Sequence, residues 1–595
     1  MEHLFRQTQY TVAKLIEDID LGEIGLPDLQ RPFVWRNNKV RDLFDSLYRG
    51  YPIGSLLFWE NGYPKEHRLI GREDQQKIPR LLIIDGQQRL TSLYAVMKGR
   101  PVLWKDYRYK KIRIGFHPFL EKFEVTNSAI EKDPHWLADI SLIWTQDLYD
   151  LIEQYLERLH HHEPLSRENE KRIHQVFHRL FDLQKYQIPT VEISASVDEE
   201  QVAEIFKRVN SQGTPLNLSD FILTLMSVFW EEGRQALEHF SRAAKTPPST
   251  PQPSPYNPVF QPGPDHLLRV SVMVGFRRAK LPDVYALLRG KDLKTRTFSV
   301  EQRDRQFALL QQAQSKTLNL QHWHDYLKVL KRAGYLRGDM ISSKMAVLFT
   351  YALWLIGKVD YHIDPYTLRE AMARWLFMAL LTGRYTKSPE SRMEQDLSLL
   401  RDTSSAQGFL ETLEQEIQAV LTPDFWEVSL PNQLATASAR NPGQFAFYAS
   451  LCILDAPVLY SRMKVAELLS PDLRSHRRSL ERHHLFPRQY LKRIGITQDR
   501  WINQVANYTL VEWTDNQRIG DRAPQAYVPQ MEQRFTPEEL QHMYRLHALP
   551  HRWYEMDYHE FLQERRKRMA QVIRWGFEHL GTGRSALGFP GSSED

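Results

Sequence analysis

Between Ser479 and Ala523, two adjacent histidines, His483 and His484, are followed by Asn507 and, nine positions later, by Asn516. Residues of these types suit the hydrolysis of a phosphodiester. That reaction needs a base for the attacking water and a cation on the phosphate oxygens, where negative charge develops. A neutral imidazole acts as base near pH 7, and a second imidazole with an amide oxygen can hold a divalent ion alongside water and phosphate. Neighbouring side chains on a strand point to opposite faces, so one histidine reaches the water and the other the metal only if the strand is twisted there. A basic surface loop with two turn asparagines is the other reading of the same residues.

The elements that must position these groups are short. A strand ends at the histidine pair, and Leu485, Phe486 and Pro487 begin a turn back. VANYTLVEW is a second strand with Asn507 near its start, and Asn516 falls in the first turn of a short helix. This stretch resembles the finger of the HNH, or ββα-metal, endonucleases. The resemblance implies His484 as general base, His483 as first metal ligand, Asn507 as the residue that props the finger, and Asn516 as last ligand. Asp515 competes with Asn516 for that last position.

A second group of polar residues lies near the N-terminus. PRLLIIDGQQRLTSLYAVMKG reads as a buried strand over Leu81–Ile84, a tight turn at Asp85 and Gly86, and a helix with Leu90, Leu93, Tyr94 and Met97 on its apolar face. Gln87, Gln88 and Arg89 then occupy a helix N-terminal turn, whose unpaired N–H groups and positive dipole end suit phosphate. Arg89 offers a bidentate phosphate donor, the amides can read a base or sugar, and Asp85 can hold a metal or polarise a water. A polar cap on a structural strand-turn-helix is the alternative. Further on, VAEIFKRVNSQGTPLNLSDFILTLM reads as a helix through Ile205 and Phe206, then Arg208 and Asn210, a turn at Gly213, and a helix begun by Ser219 or Asp220.

Taken in order, QRPFVW, IIDGQQRLTSL and FKRVNSQGTPL resemble the N-terminal domain of the GmrSD-type modification-dependent restriction enzymes, a ParB-like nucleotide-using domain. The resemblance implies an NTP pocket lined by Asp85, Gly86, Gln87, Gln88, Arg89, Arg208 and Asn210, with Gln30 and Arg31 as weaker candidates. That family pairs this domain with a finger of the kind described above. The implied enzyme is an NTP-regulated DNA endonuclease that uses magnesium or another divalent metal against modified phage or foreign DNA, and the lack of a long apolar run or a signal-peptide pattern leads us to expect it in the cytoplasm. Glucosylated hydroxymethylcytosine and backbone phosphorothioate are two possible cues. A nuclease toxin of abortive infection and an NTP-dependent DNA-binding sensor without cleavage are the rival readings. Double-strand cutting by a one-metal finger needs two sites or two visits, so a homodimer is a further expectation.

Composition sets the bounds. At 595 residues the chain is too long for one core, and its 42% hydrophobic and 25% charged residues are those of an ordinary globular protein. There is no run of about eighteen apolar residues and no signal-peptide pattern at the N-terminus, so no membrane partner is expected. The single cysteine, Cys452, excludes an internal disulfide framework and a paired-cysteine zinc site. A net charge of +5 is mildly favourable to a polyanion.

The expected architecture is α+β. Residues 1–240 form a ParB-like α/β domain, 241–265 a Pro-rich mobile loop, and 266–470 a helical linking region. Residues 471–580 form the finger embedded in helices, and 581–595 a disordered tail. The histidines His160, His161 and His162 sit at a helix end before Pro164, where cations suit the dipole. Arg384, Tyr385 and Lys387 read either as phosphate contacts or as a helix end capped by cations. In the helix FLQERRKRMAQVIRWGFEHL, the basic run Arg565, Arg566, Lys567 and Arg568 reads either as a solvated face or as a rail for the DNA backbone.

Overall fold

Strands buried on both faces are near-continuous apolar runs, and LLFWE and LLIID are two such runs. In the computed structural model they are neighbours in a five-stranded mixed sheet. The structure describes residues 4–25, 35–60, 79–104, 109–162, 164–197, 201, 218–248, 252–292, 295, 299–438, 440–470 and 482–581. The chain divides into two compact units, Met1–Arg234 and Gln235–Asp595.

The first unit holds the sheet. Its strands are β1 (Phe5–Thr11), β2 (Ile24–Gly25), β3 (Leu56–Glu60), β4 (Leu81–Asp85) and β5 (Gln187–Ile193), in the spatial order β1-β5-β3-β4-β2. β3 runs parallel to β5 and antiparallel to β4, and β4 runs parallel to β2. A register shift sets Leu57 opposite Asp85 but Phe58 opposite Ile83, so Ile84 is an extra residue just before the Asp85 turn. Helices α1 (Val12–Asp20), α2 (Asn37–Tyr48) and α3 (Gln87–Met97) lay Leu15, Phe44 and Leu93 into the same core as Phe58 and Ile83. Two later helices, α4 (Leu148–His160) and α5 (Arg167–Phe181), add Tyr155 and Phe177 to it. The histidine triplet starts at the end of α4, where His160 Nε2 lies 3.0 Å from Glu170. Among the described residues, no group of three or more His, Cys, Asp or Glu side chains is placed to hold a metal.

The second unit is mostly helical. Helices α6 (Pro264–Phe276), α7 (Lys344–Leu355), α8 (Pro365–Thr382) and α9 (Pro442–Ile453) carry apolar residues nearly all round, and every residue from Trp375 to Leu381 is buried. The fold is thus α+β, and the finger falls in the same compact unit as the helical region.

The described part of the Pro-rich stretch is packed. Asn257 Oδ1 accepts from Val259 N and Phe260 N at 2.7 and 3.2 Å, the Trp323 indole donates to Pro255 O at 2.9 Å, and Phe260 is buried. Side-chain hydrogen bonds hold backbone here that the prolines exclude from helix or strand. Arg384 and Tyr385 are also withdrawn from solvent. Arg384 forms two bonds to Asp396, at 2.8 and 2.6 Å, and one to Glu416, while the Tyr385 hydroxyl donates to Asp396 at 2.7 Å. A guanidinium so enclosed is neutralised internally and cannot meet a phosphate. Among the described residues no helix is long and apolar enough to cross a membrane.

Candidate active site

The histidine pair lies in a two-stranded ladder. β6 (Arg482–His484) pairs antiparallel with β7 (Tyr508–Leu510), setting His483 opposite Thr509 and His484 opposite Tyr508. The chain does not turn straight back between them, as the sequence suggested. Two short helices, α10 (Arg488–Arg493) and α11 (Asp499–Ile502), intervene, and α12 (Trp513–Ile519) follows β7.

Asn507 binds this loop to itself. Its backbone oxygen accepts from Leu485 N at 2.8 Å, and its side-chain oxygen accepts from Phe486 N at 2.9 Å. Its side-chain nitrogen donates to Phe486 O at 3.1 Å and Ile502 O at 3.0 Å. The residue is fully buried, so water cannot replace these bonds. Asn507 therefore holds the backbone just after His484. From behind, the Tyr527 hydroxyl of α13 (Pro524–Glu532) donates to Leu485 O at 2.7 Å.

The two histidines have different partners. His483 is 5% exposed, and its Nδ1 lies 2.6 Å from Asn516 Oδ1 on α12. Its Nε2 is buried and, among the described residues, has no hydrogen-bond partner. Burial, opposed by the bond to Asn516, pushes this imidazole down to about 4, and the neighbouring His484 adds to the effect. The ring is neutral at pH 7, the form that binds a metal. Asp515 does not compete for this place: it is buried and paired with Arg534 at 2.8 Å. Asn516 Oδ1 only accepts, so Nδ1 carries the hydrogen in this contact, and a divalent ion held by Nδ1 and Oδ1 would require the other tautomer, with the hydrogen on Nε2.

His484 is half-buried, and its Nε2 lies 3.1 Å from Asn503 Oδ1. Its ring packs on Tyr508, with centroids 4.5 Å apart. Burial lowers its pKa too. Among the described residues, no hydrogen bond reaches its Nδ1.

The basic run behind the finger is not a single face. It lies on α14 (Tyr558–His579), which approaches α9 so closely that a Cβ on Gly576 would sit 2.5 Å from Ser450 Cβ. Arg565 is fully buried and donates to Ala506 O at 2.6 Å, Tyr508 O at 2.9 Å and His547 O at 3.3 Å. It braces β7 and is withdrawn from any DNA rail, because its position on α14 turns it inward. Arg566 is half-buried and donates to Gln504 at 2.6 Å. Lys567 and Arg568 are exposed, the latter bonded to Glu564.

His547, next in this network, is fully buried. Pro457 O can only accept, so the 2.8 Å contact places the proton on Nε2, and Nδ1 accepts the Thr509 hydroxyl at 3.3 Å. Burial holds this imidazole down at about 4, against an ordinary 6.5. A folded pKa below the unfolded one gives stability that is present above about 6.5 and is lost as pH falls toward 4. The expected loss is on the order of 3 kcal/mol. Thermal melts between pH 7 and pH 4 check this, and His547→Gln should flatten the profile.

In the first unit the DGQQR segment forms the expected strand, turn and helix. Gly86, at φ +92°, caps α3, and a Cβ there would sit 2.3 Å from Leu56 Cδ2. Only glycine suits both constraints. Gln87 donates to Ile83 O at 3.3 Å, and Gln88 Oε1 accepts from Trp35 N at 3.2 Å. Arg89 turns back from the position expected of a phosphate donor. It donates to Ile53 O at 2.6 Å, Ser55 O at 3.0 Å and Asp85 at 3.1 Å, so Asp85 is paired as well. Burial lowers the Arg89 pKa, and Asp85 opposes that shift. Arg208, Asn210, Gln30 and Arg31 lie outside the described residues.

Asn503, Tyr508 and His547 carried no signal in the sequence. Their contacts cross the hairpin, and only the ladder register and the intervening helices could have revealed them.

Residues 12–227 match the family described as GmrSD restriction endonuclease, N-terminal domain. An uncharacterized protein of Methanocaldococcus jannaschii is 22% identical over 554 residues, covering 86% of this chain and 84% of that protein. The family match agrees with the GmrSD resemblance of the N-terminal part of the chain.

Proposed function

We propose that this chain is a divalent-metal-dependent DNA endonuclease of the HNH type, regulated by a nucleoside triphosphate, that restricts modified phage or foreign DNA. One observation carries the reading. The adjacent histidines are both held neutral by burial, and each is fastened by a different asparagine. His483 and Asn516 would hold magnesium or another divalent ion, which when bound offsets charge developing on the phosphate. His484 takes a proton from the attacking water. The water oxygen bonds to phosphorus as the bond to the leaving sugar oxygen breaks, and Asn507 keeps the loop after His484 from shifting.

The ParB-like N-terminal domain would bind the NTP. The support is the match of residues 12–227 to the GmrSD N-terminal domain family.

The test is cleavage of matched unmodified, glucosylated and phosphorothioated DNA, with magnesium or manganese, with and without each NTP. Cutting of one modified substrate, stopped by a chelator and altered by one NTP, is the expected result. Uniform cutting of all three would favour a toxin, and binding without any cutting would favour a sensor.

A further inference from the structure

We infer that Asn503 is a positioning residue for His484: it sets the tautomer and orientation of the ring so that Nδ1 is the nitrogen that accepts the proton. This rests on the nuclease reading above. Asn503 Oδ1 has lone pairs only, so the His484 nitrogen 3.1 Å from it, Nε2, must carry the hydrogen. The Tyr508 hydroxyl donates to the same oxygen at 3.2 Å. With Nε2 protonated, a neutral ring leaves its lone pair on Nδ1. Tyr508 lies directly across the ladder from His484, and its ring is tilted 42° against the imidazole, which limits the ring's rotation.

Asn503 is itself held in place by the hairpin. It follows α11, whose last residue, Ile502, gives its carbonyl to Asn507 at 3.0 Å. The same Asn507 receives Leu485 N, immediately after His484. One buried amide residue therefore ties down the backbone of both partners, His484 and Asn503. A contact that fixes the tautomer in this way acts on the chemical step rather than on substrate binding.

The chemistry of the side chain separates this role from a merely structural one. Asp keeps an acceptor at the same place, whereas Leu matches the size and removes it. Nicking of supercoiled plasmid with manganese should show Asn503→Leu with kcat lowered about 10- to 100-fold and KM little changed. Asn503→Asp should restore most of kcat, and Tyr508→Phe should give a smaller loss than Asn503→Leu. Equal impairment of the Asp and Leu variants, or an unchanged kcat in the Leu variant, would overturn the inference.

A second measurement does not depend on cutting. The 15N shifts of the His484 ring, identified by their disappearance in His484→Ala, should report protonated Nε2 in the wild-type chain and in Asn503→Asp. Protonated Nδ1 would refute the assignment. If the wild-type chain fails to cut while Nε2 is protonated, the nuclease reading fails and the positioning contact stands.

Discussion

Replacing His484 with alanine should lower metal-dependent strand cutting by about 10²- to 10⁴-fold, the range that positioned general bases contribute. Folding should be nearly untouched. The ring is half-buried, its polar contact is a single bond to Asn503, and the loop behind it is held by Asn507 and Tyr527 rather than by the imidazole. DNA binding in the presence of the metal should persist, since the proposed ligands His483 and Asn516 remain. Initial nicking rates beside thermal melts and a binding isotherm separate these effects. A variant that cuts at the wild-type rate would remove His484 from the base role, and one that melts far earlier would show that the ring is structural.

The largest expected effect on stability lies at Arg565. This guanidinium is fully buried, no carboxylate among the described residues pairs with it, and burial pushes its pKa down to about 9. What compensates it is three carbonyl oxygens, two of which flank Asn507 on the finger. Arg565→Ala removes the donors, leaves those oxygens without partners and opens a cavity. The expected cost is on the order of 4 kcal/mol. Arg565→Lys should recover only part, because one ammonium cannot reach three acceptors in the fork geometry of a guanidinium. Urea unfolding followed by tryptophan fluorescence measures this, and Trp553, whose ring lies 5.6 Å from that of Phe486, is one reporter within the finger's packing. An Arg565→Ala chain as stable as the wild type would mean that the buried cation is not what fastens β7.

Much of the candidate site was legible because it is local. The apolar run Leu81–Ile84, the Asp85-Gly86 turn and the helix after it follow from neighbouring residues, and the structure places them there. The pairing of β6 with β7 and the short helix bearing Asn516 follow from the same kind of pattern. Side-chain partners were another matter. Arg89 has the type and the place of a phosphate donor, yet it reaches back 36 residues to Ile53 O. Arg565 reads as one cation in a basic row, and which of four neighbours faces inward depends on the rotation of α14 against the finger. The Pro-rich stretch lacks any period, and its order comes from Trp323, 68 residues away from Pro255.

The sequence by itself determined the chemical types available, their order and the short elements that carry them, because backbone preferences and apolar spacing act over a few residues. Tertiary structure alone decided which polar groups meet. His484 finds Asn503 across 19 residues, His483 finds Asn516 across 33, and Arg565 finds Ala506 across 59. Those pairings arise when apolar faces are buried and most polar groups carried inside must find a partner, a condition imposed by the whole packed unit and not by any one segment.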